Sequence, residues 1–295
     1  MTIKAVTSFS LDCGEGPVWD SRTSCLYFSN ASGRGIYKLS ENGEVEELSA
    51  TLHASNLTLH ENGGLIYVGS DGVSILTTQL HHQVIVSQHS GNNLSKLNEI
   101  IADENGRVYC GEECYIEGED YETGFLYKID ESRNVSIIDD GFHLANGMGF
   151  SPNLDVFYVV DSVLHTIFAY DYNRFTGDLR NKRKLISIPK QDGLPDGMAI
   201  DNEGFIWVAL WFGSAIMRFD PEGKLERKIE LPFTQPTSIC FGGKEMNDIF
   251  ITSGAMKWKS KLAPFGYNYD HFGGGMVYKL RQEIIGKPEY MAKIS

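Results

Sequence analysis

The sequence predicts an all-β fold, a six-bladed β-propeller that forms one domain over residues 1–295. A repeat recurs at a spacing of roughly 40 to 50 residues, which is typical of propeller blades or solenoid units. Within each unit, short β-rich runs are separated by Gly, Asn and Asp turns, and helical periodicity is almost absent. This combination favours a propeller.

The clearest copy of the repeat is DGLPDGMAID, residues 192–201. A loop closed by Pro195 presents Asp196, a short apolar run follows as a buried strand, and a polar turn ends it. The same layout recurs in the other units. The leading position carries an oxygen-bearing side chain in each of them: Glu15, Ser55, Asn98, Asn146, Asp196 and Thr237.

The predicted strands can be placed in chain order. Units one and two contain the runs 18–19, 26–28, 36–39, 45–48, then 57–59, 65–68, 73–76 and 83–86. Units three and four contain 100–102, 108–109, 125–129, 135–138, then 148–150, 156–160, 166–170 and 184–188. Units five and six contain 198–200, 205–209, 215–219, 225–231, then 238–241, 248–252 and 275–280. Unit six lacks an outer strand, which residues 3–9 are predicted to supply, closing the ring and removing exposed sheet edges.

The propeller geometry turns this column of polar residues into a predicted site. The first strand of each blade lines the central channel, so the leading residues are expected to converge on one mouth of that channel. Two long insertions, residues 112–123 and 253–274, are predicted to cover the same mouth. Their aromatic residues either form an apolar wall against a substrate or pack the loops onto the blades: Tyr115, Tyr121, Trp258, Phe265 and Tyr267.

Glu15, Asn146 and Asp196 together offer two carboxylates and an amide oxygen. Such a set suits a hard divalent cation such as Ca²⁺, Mg²⁺ or Mn²⁺, and Zn²⁺ also accepts carboxylate oxygen. The alternative is that these residues only cap turns. Two acids in a narrow channel repel each other unless a cation or a proton separates them, which favours the metal site.

Composition excludes several classes of protein. The formal charge of −13 and a pI near 5.1 argue against binding nucleic acid. No apolar stretch is long enough for a membrane span, and residues 1–10 do not resemble a signal peptide. Five cysteines, an odd number without zinc-site spacing, predict free thiols in a reducing cytoplasm. The absence of a G-x-S-x-G elbow disfavours a serine esterase.

Several motifs resemble one family in their order and spacing. They are GEGPVWD at residues 14–20, NGMGFS at 146–151, YVVDS at 158–162, PDGMAID at 195–201 and FGGK at 241–244. With these motifs the chain resembles the SMP-30/gluconolactonase/luciferin-regenerating-enzyme family of regucalcin-like six-bladed propellers, over nearly its whole length. The resemblance implies that Glu15, Asn146 and Asp196 are metal ligands, that Asn98 is a further ligand or substrate contact, and that Asp196 serves as general base. It also implies hydrolysis of aldonolactones such as gluconolactone.

The residues are consistent with a metal-dependent lactonase, with Ca²⁺ as the expected ion. A cation polarises a lactone carbonyl and lowers the pKa of a bound water that attacks it, while a carboxylate accepts the proton. Lys96, Asn98 and Tyr115 are predicted to contact the lactone. His143 is predicted to orient a metal ligand without binding the metal itself. Lys96 stands where the family commonly carries Arg, so it keeps the charge but not the bidentate donor array.

Other predictions remain open at this point. Glu112 and Glu113 are expected to face solvent. A phosphotriesterase-like hydrolase is an alternative function, because a hard cation also polarises phosphoryl oxygens. A non-catalytic calcium-binding or ligand-sensing propeller is another, because a fold does not fix a function.

Overall fold

The computed structural model describes residues 2–118, 122–269 and 273–295. Tyr121, one of the predicted wall residues, lies outside the described residues. Within them, six four-stranded antiparallel sheets and one two-stranded hairpin make up the β-structure. The inner strands of consecutive sheets lie side by side, and the inner strand of the sixth sheet returns to that of the first. The prediction of an all-β, six-bladed propeller is confirmed.

The strands have the following bounds. Blade one contains β2 (Gly14–Asp20), β3 (Cys25–Asn30), β4 (Ile36–Ser40) and β5 (Val45–Ser49). Blade two contains β6 (Asn56–Leu59), β7 (Leu65–Gly69), β8 (Gly72–Leu76) and β9 (His82–Val86), followed by the hairpin β10 (Gln88–His89) and β11 (Asn92–Asn93). Blade three contains β12 (Leu97–Ala102), β13 (Val108–Glu112), β14 (Gly124–Ile129) and β15 (Val135–Phe142). Blade four contains β16 (Ala145–Phe150), β17 (Val156–Asp161), β18 (Thr166–Asn173) and β19 (Asp178–Ser187). Blade five contains β20 (Leu194–Ile200), β21 (Ile206–Trp211), β22 (Ala215–Phe219) and β23 (Leu225–Glu230). Blade six contains β24 (Pro236–Gly242), β25 (Asp248–Ser253) and β26 (Tyr278–Arg281).

The outer position of blade six is taken by the N-terminal strand β1 (Ile3–Ala5), which pairs antiparallel with β26. This strand is shorter than the predicted run of residues 3–9. Beyond it, the Val6 N–H still bonds to the Val277 carbonyl at 2.8 Å.

Burial falls from the inner to the outer strands. Every residue of β21 is buried, whereas residues 180–184 of the outer strand β19 are exposed. Inner strands carry apolar side chains on both faces because neighbouring blades cover both faces, and buried apolar area stabilises the ring. Helical structure within the described residues is a 3-10 turn, Lys190–Asp192, and no helix there spans a lipid bilayer.

Five of the six inner strands contain a β-bulge close to their first residues. The register shifts lie between Glu15 and Val18, Leu97 and Glu99, Asn146 and Met148, Pro195 and Met198, and Pro236 and Ile239. A bulge bends its strand and re-aims a side chain, and the predicted ligands sit at these bulges. The sequence predicted these residues just before the inner strands, whereas the structure places them inside the strands.

The glycine after each ligand follows from close packing of the inner strands. A Cβ at Gly147 would lie 2.5 Å from the Met198 nitrogen, and one at Gly197 would lie 2.0 Å from the Ser238 hydroxyl oxygen. Only glycine leaves room for the neighbouring blade at these points. The glycines of the Asn-Gly and Asp-Gly pairs are therefore required by the close packing of adjacent blades.

Residues 282–295 cross the opposite mouth of the channel, a feature that the sequence analysis did not predict. The Ala292 N–H bonds to the Leu59 carbonyl at 2.8 Å, and the Lys293 N–H bonds to the Gly106 carbonyl at 2.9 Å. Ala292 and Ile294 are fully buried. This C-terminal segment thus packs beneath blades two and three, and Glu289 faces the lower end of the channel.

Candidate functional site

A cavity of about 490 Å³ lies at the channel mouth where the bulged strand ends meet. Its lining includes the four predicted polar site residues Glu15, Asn98, Asn146 and Asp196. A slightly larger cleft, of about 540 Å³, lies between blades one and six, and several of its charges are paired with each other, as in Arg281 with Glu245 at 3.2 Å. The cavity at the channel mouth is therefore the candidate site.

Glu15 and Asp196 form an electrostatically strained pair. Burial raises the pKa of both carboxyls, and the charge of Asp196 raises the pKa of Glu15 further. Glu99 below and Glu113 above also raise the pKa of Asp196. Within residues 2–118, 122–269 and 273–295, neither Glu15 nor Asp196 forms an ion pair with Lys, Arg or His.

The amide of Asn146 is held between two blades. Its Nδ2 donates to the Ser162 hydroxyl at 3.3 Å, and its Oδ1 accepts the Gly147 N–H at 3.1 Å. A hydrogen bond from the Asn146 side chain also reaches the Asp196 carboxylate, which lowers the pKa of Asp196 against the effect of burial. Ser162 was not predicted from the sequence, although it belongs to the YVVDS motif.

Blade three contributes Asn98 to the mouth and Glu99 to the interior of the channel. Asn98 donates from Nδ2 to the Ala145 carbonyl at 3.1 Å. Glu99 lies beside a small chamber of about 50 Å³ together with Asn56 and Glu289. Burial raises the pKa of Glu99 to about 8. Glu99 was not predicted from the sequence, because the bulge alone sets Asn98 at the mouth and the next residue, Glu99, in the channel.

The donor set fits a hard divalent cation. Two carboxylates and the amide oxygens of Asn98 and Asn146 are available at one mouth, and such oxygens suit Ca²⁺, Mg²⁺ or Mn²⁺. Within the described residues, no cluster of three or more His, Cys, Asp or Glu side chains is arranged to hold a metal. An ion here would therefore depend on the asparagine amides as well as on Glu15 and Asp196.

The two long insertions meet over the cavity. Glu117 of the first accepts hydrogen bonds at Oε2 from the Tyr115 hydroxyl and the Ser260 hydroxyl, both at 2.6 Å. Trp258 of the second stacks on Phe212 at 5.7 Å between ring centroids. These contacts close one side of the mouth with an aromatic wall.

The predicted aromatic residues divide between the two roles. Tyr115 and Trp258 line the cavity, and Tyr267 packs edge-on against Phe212 at 4.9 Å. Phe265 is fully exposed and contributes to neither role, because it sits at the tip of the second insertion.

Lys96 and His143 lie near the mouth with side-chain partners of their own. The Lys96 ammonium pairs with Glu122 at 3.2 Å, and nearly half of the side chain is exposed. The backbone N–H of His143 donates to the Asp161 carboxylate at 3.0 Å, and its Nδ1 lies 3.3 Å from the same oxygen. Neither residue belongs to the cavity lining, so substrate contact by Lys96 and ligand support by His143 stay predictions.

The expectation that Glu112 and Glu113 both face solvent is wrong for Glu112. Its carboxylate is buried and accepts hydrogen bonds from the Phe125 N–H at 2.9 Å and the Tyr127 hydroxyl at 3.2 Å. Glu113 is exposed, as expected, and it also lines the cavity. Burial by the surrounding residues raises the pKa of its carboxyl. The two residues diverge because Glu112 is the last residue of β13 and Glu113 leaves the sheet.

Cys13 also lines the cavity, and all five cysteines of the chain are unpaired, as predicted. Burial raises the pKa of the Cys13 thiol, with Glu15 and Asp196 adding to the rise. A thiol in this environment is not the activated thiolate that nucleophilic catalysis needs.

Comparison with known proteins gives consistent similarities. The model of the SMP-30/Gluconolactonase/LRE-like region matches residues 13–255. Regucalcin of Oryctolagus cuniculus is 30% identical over 298 residues, covering 98% of this chain and 97% of its own. Pentonolactonase XacC of Haloferax volcanii is 26% identical over 298 residues, covering 100% of this chain and 99% of its own. A solved luciferin-regenerating enzyme shares the fold with a TM-score of 0.89 and 23% identity, and 99% of each chain is covered.

Proposed function

The chain belongs to the SMP-30/gluconolactonase/LRE-like family, and from that premise we propose that it hydrolyses small lactones with one divalent cation bound at the channel mouth. A relative named pentonolactonase supports a lactone substrate. Glu15, Asn146 and Asp196 would hold the cation, and Asn98 would hold the cation or the substrate. Ca²⁺ is the ion we propose first, because every donor is an oxygen and the set mixes carboxylates with amides.

The meeting of Glu15 and Asp196 in one buried mouth carries this proposal. Burial raises the pKa of both carboxyls, and the charge of Asp196 raises the pKa of Glu15 further, so the chain holds two acids together without a positive side chain between them among the described residues. A divalent cation would balance both charges. When bound, it would polarise the lactone carbonyl and increase the acidity of the attacking water.

Asp196 is the proposed general base. Its carboxylate would take the proton from the water as the water oxygen bonds to the lactone carbonyl carbon. The ring C–O bond then breaks, and the proton passes to the departing alkoxide. General-base catalysis of this kind contributes about 10²- to 10⁴-fold.

The other mouth residues would bind and orient the lactone. Asn146 is fixed by Ser162 and Gly147, so its amide is pre-positioned. Tyr115, held by Glu117 in the aromatic wall, would exclude water from one face of the ring.

Proton release during hydrolysis tests the proposal, because opening a lactone produces a carboxylic acid. The full chain would be treated with chelator, resupplied with Ca²⁺, Mg²⁺, Mn²⁺ or Zn²⁺, and assayed on a panel of sugar, aliphatic and phosphotriester substrates. We expect metal-dependent turnover of lactones and a loss of about 10³-fold in kcat for Asp196→Asn. The surface change Glu46→Gln is the matched control.

Three results would contradict this function. Turnover that survives both chelator and Asp196→Asn would exclude the proposed mechanism. Cation-dependent thermal stabilisation without turnover of any ester would indicate a binding protein instead. Preferential phosphotriester turnover would identify the rival hydrolase.

A further inference from the structure

The charges that line the cavity have one sign. Its acidic residues are Glu15, Glu113, Glu117 and Asp196, and none of the described lining residues is Lys or Arg. His53 also lines it, but burial lowers the pKa of this imidazole and keeps it neutral at physiological pH.

Glu113 is the acid in this set with no assigned structural or metal-binding task. Glu15 and Asp196 would offset the two charges of a cation, and Glu117 ties the two insertions together through Tyr115 and Ser260. The charge of Glu113 reaches into the site, because it raises the pKa of both Asp196 and Cys13. Its position is fixed by a backbone hydrogen bond from its N–H to the Lys96 carbonyl at 2.8 Å.

Part of the wall is apolar. Leu144, Leu194 and Trp211 are buried side chains that border the cavity, and Met256 and Trp258 border it while partly exposed. A sugar presents hydroxyls all round its ring, whereas this part of the wall offers apolar side chains to a substrate. Apolar contact there would gain binding energy only from an apolar substituent.

Building on the proposed function, we propose that the site selects uncharged lactones bearing an apolar substituent, and that Glu113 rejects lactones carrying a phosphate or carboxylate. The rejection is a repulsive element: an anionic substituent would face the Glu113 carboxylate with no described cationic side chain in the lining to compensate. Glu113 is a specificity residue in this proposal and takes no part in bond making.

The test compares lactones that differ only in charge or in the apolar group. The pairs are gluconolactone with its phosphate ester, and unsubstituted with alkyl-substituted δ-lactone, assayed with the cation-loaded enzyme at about pH 8, above the ordinary pKa of a carboxyl. We expect kcat/KM for the alkyl lactone to exceed that for the phosphate ester by about tenfold or more. Glu113→Gln should raise kcat/KM on the phosphate ester about fivefold and change the neutral lactones less than about twofold.

Two controls show whether an effect comes from the charge of Glu113 or from a change in folding. Glu46→Gln removes the same charge on an exposed outer strand and should change neither ratio. The gain from Glu113→Gln should shrink in about 0.5 M salt, because screening weakens repulsion across a solvent-filled cavity. Met256→Gln should lower kcat/KM for the alkyl lactone more than for the unsubstituted one.

Ligand binding separates failure of this inference from failure of the proposed function. Non-hydrolysable lactams of the same pairs would be titrated by intrinsic fluorescence, since Trp211 and Trp258 line the cavity. If lactams bind in the expected order but no lactone is hydrolysed, the hydrolase proposal falls and the specificity inference stands. If the phosphate ester is hydrolysed as well as neutral lactones, or Glu113→Gln leaves the ratio unchanged, the inference is overturned and the hydrolase stands. Absence of both binding and turnover overturns both.

Discussion

The two ends of the inner strand β20 carry acids in opposite situations. In β20, Asp196 stands at the bulged start and Asp201 stands just after the end. Asp201 receives hydrogen bonds from Arg218 at 2.7 Å and from the Trp207 indole N–H at 2.9 Å. Asp196 has no described basic partner, and nearby acids surround it.

The same contrast recurs in other blades. In blade one, Glu15 stands at the cavity, while Asp20 at the other end of β2 pairs with Arg22 at 2.9 Å. In blade three, Asp103 lies at the end of the channel that residues 282–295 cross, and it pairs with Arg107 at 2.5 Å. The chain supplies its own cations where the acids have a structural role. At the mouth that carries the cavity, Glu15, Glu113 and Asp196 have no described basic partner, and the proposed cation would balance Glu15 and Asp196.

The largest effect on stability should come from removing Asp201, a paired acid at the end of the channel that residues 282–295 cross. Asp201→Asn removes the buried carboxylate that binds Arg218 and Trp207 and leaves the Arg218 guanidinium with Glu203 at 2.6 Å and Glu226 at 3.5 Å, so we expect the free energy of unfolding to fall by about 3 kcal/mol. Denaturant unfolding measures this change. Asp196→Asn makes the same change at the other end of β20, where burial and nearby acids raise the pKa of the carboxyl, so the cation-free protein should keep or gain stability near neutral pH. Equal losses from both variants would break the comparison.

Glu99, buried between the two mouths, should make stability depend on pH. Its pKa is about 8 in the fold against an ordinary value of 4.5, so the folded state holds its proton more tightly than the unfolded state. The folded protein therefore loses stability as pH rises from about 4.5 to about 8, and Glu99→Gln removes that loss. We expect the variant to be more stable by roughly 3 kcal/mol at about pH 8 and unchanged at about pH 4. Thermal melts across this range would show it, and a pH-independent difference would contradict it.

Cation binding should stabilise the protein through the unmatched acids. At a free Ca²⁺ concentration of about 100 times Kd, we expect a gain of about 2.7 kcal/mol. Because protons compete for Glu15 and Asp196, whose pKa values are raised, affinity should increase with pH. Calorimetric titration measures both effects. Glu15→Gln should abolish most of the gain while Glu46→Gln keeps it, and a gain retained in Glu15→Gln would place the ion elsewhere.

The smallest effect concerns blade three. Asn98→Ala removes an amide that lines the cavity, and we expect kcat/KM to fall about tenfold with stability changed by less than about 1 kcal/mol. Asp103→Ala, at the other end of β12, should lower stability instead, because Arg107 loses its partner. Steady-state kinetics and melting curves on the two variants sharpen the contrast within one strand.

Much of this fold could be predicted from the sequence because its units repeat. Short β-rich runs at a regular spacing predicted the six blades, and the convergence of inner strands predicted that Glu15, Asn146 and Asp196 share one mouth. The β-bulges of the inner strands could not be predicted, because a register shift depends on the partner strand. For this reason Glu99 was missed. Ser162 was missed because it follows β17 and meets Asn146 only once β16 and β17 pair. Glu112 was expected at the surface because its partners Phe125 and Tyr127 come from another strand.

By itself, the sequence determined the blade count, the apolar strand pattern and the oxygen-bearing residue that leads each unit, because these are local properties of the chain. Only the tertiary structure decided which acids are neutralised. Asp201 finds Arg218 across blade five, whereas Asp196 meets Asn146, Glu99 and Glu113 from other blades. The physical reason is that electrostatic energy depends on distance and burial in three dimensions, which residue order along the chain does not specify.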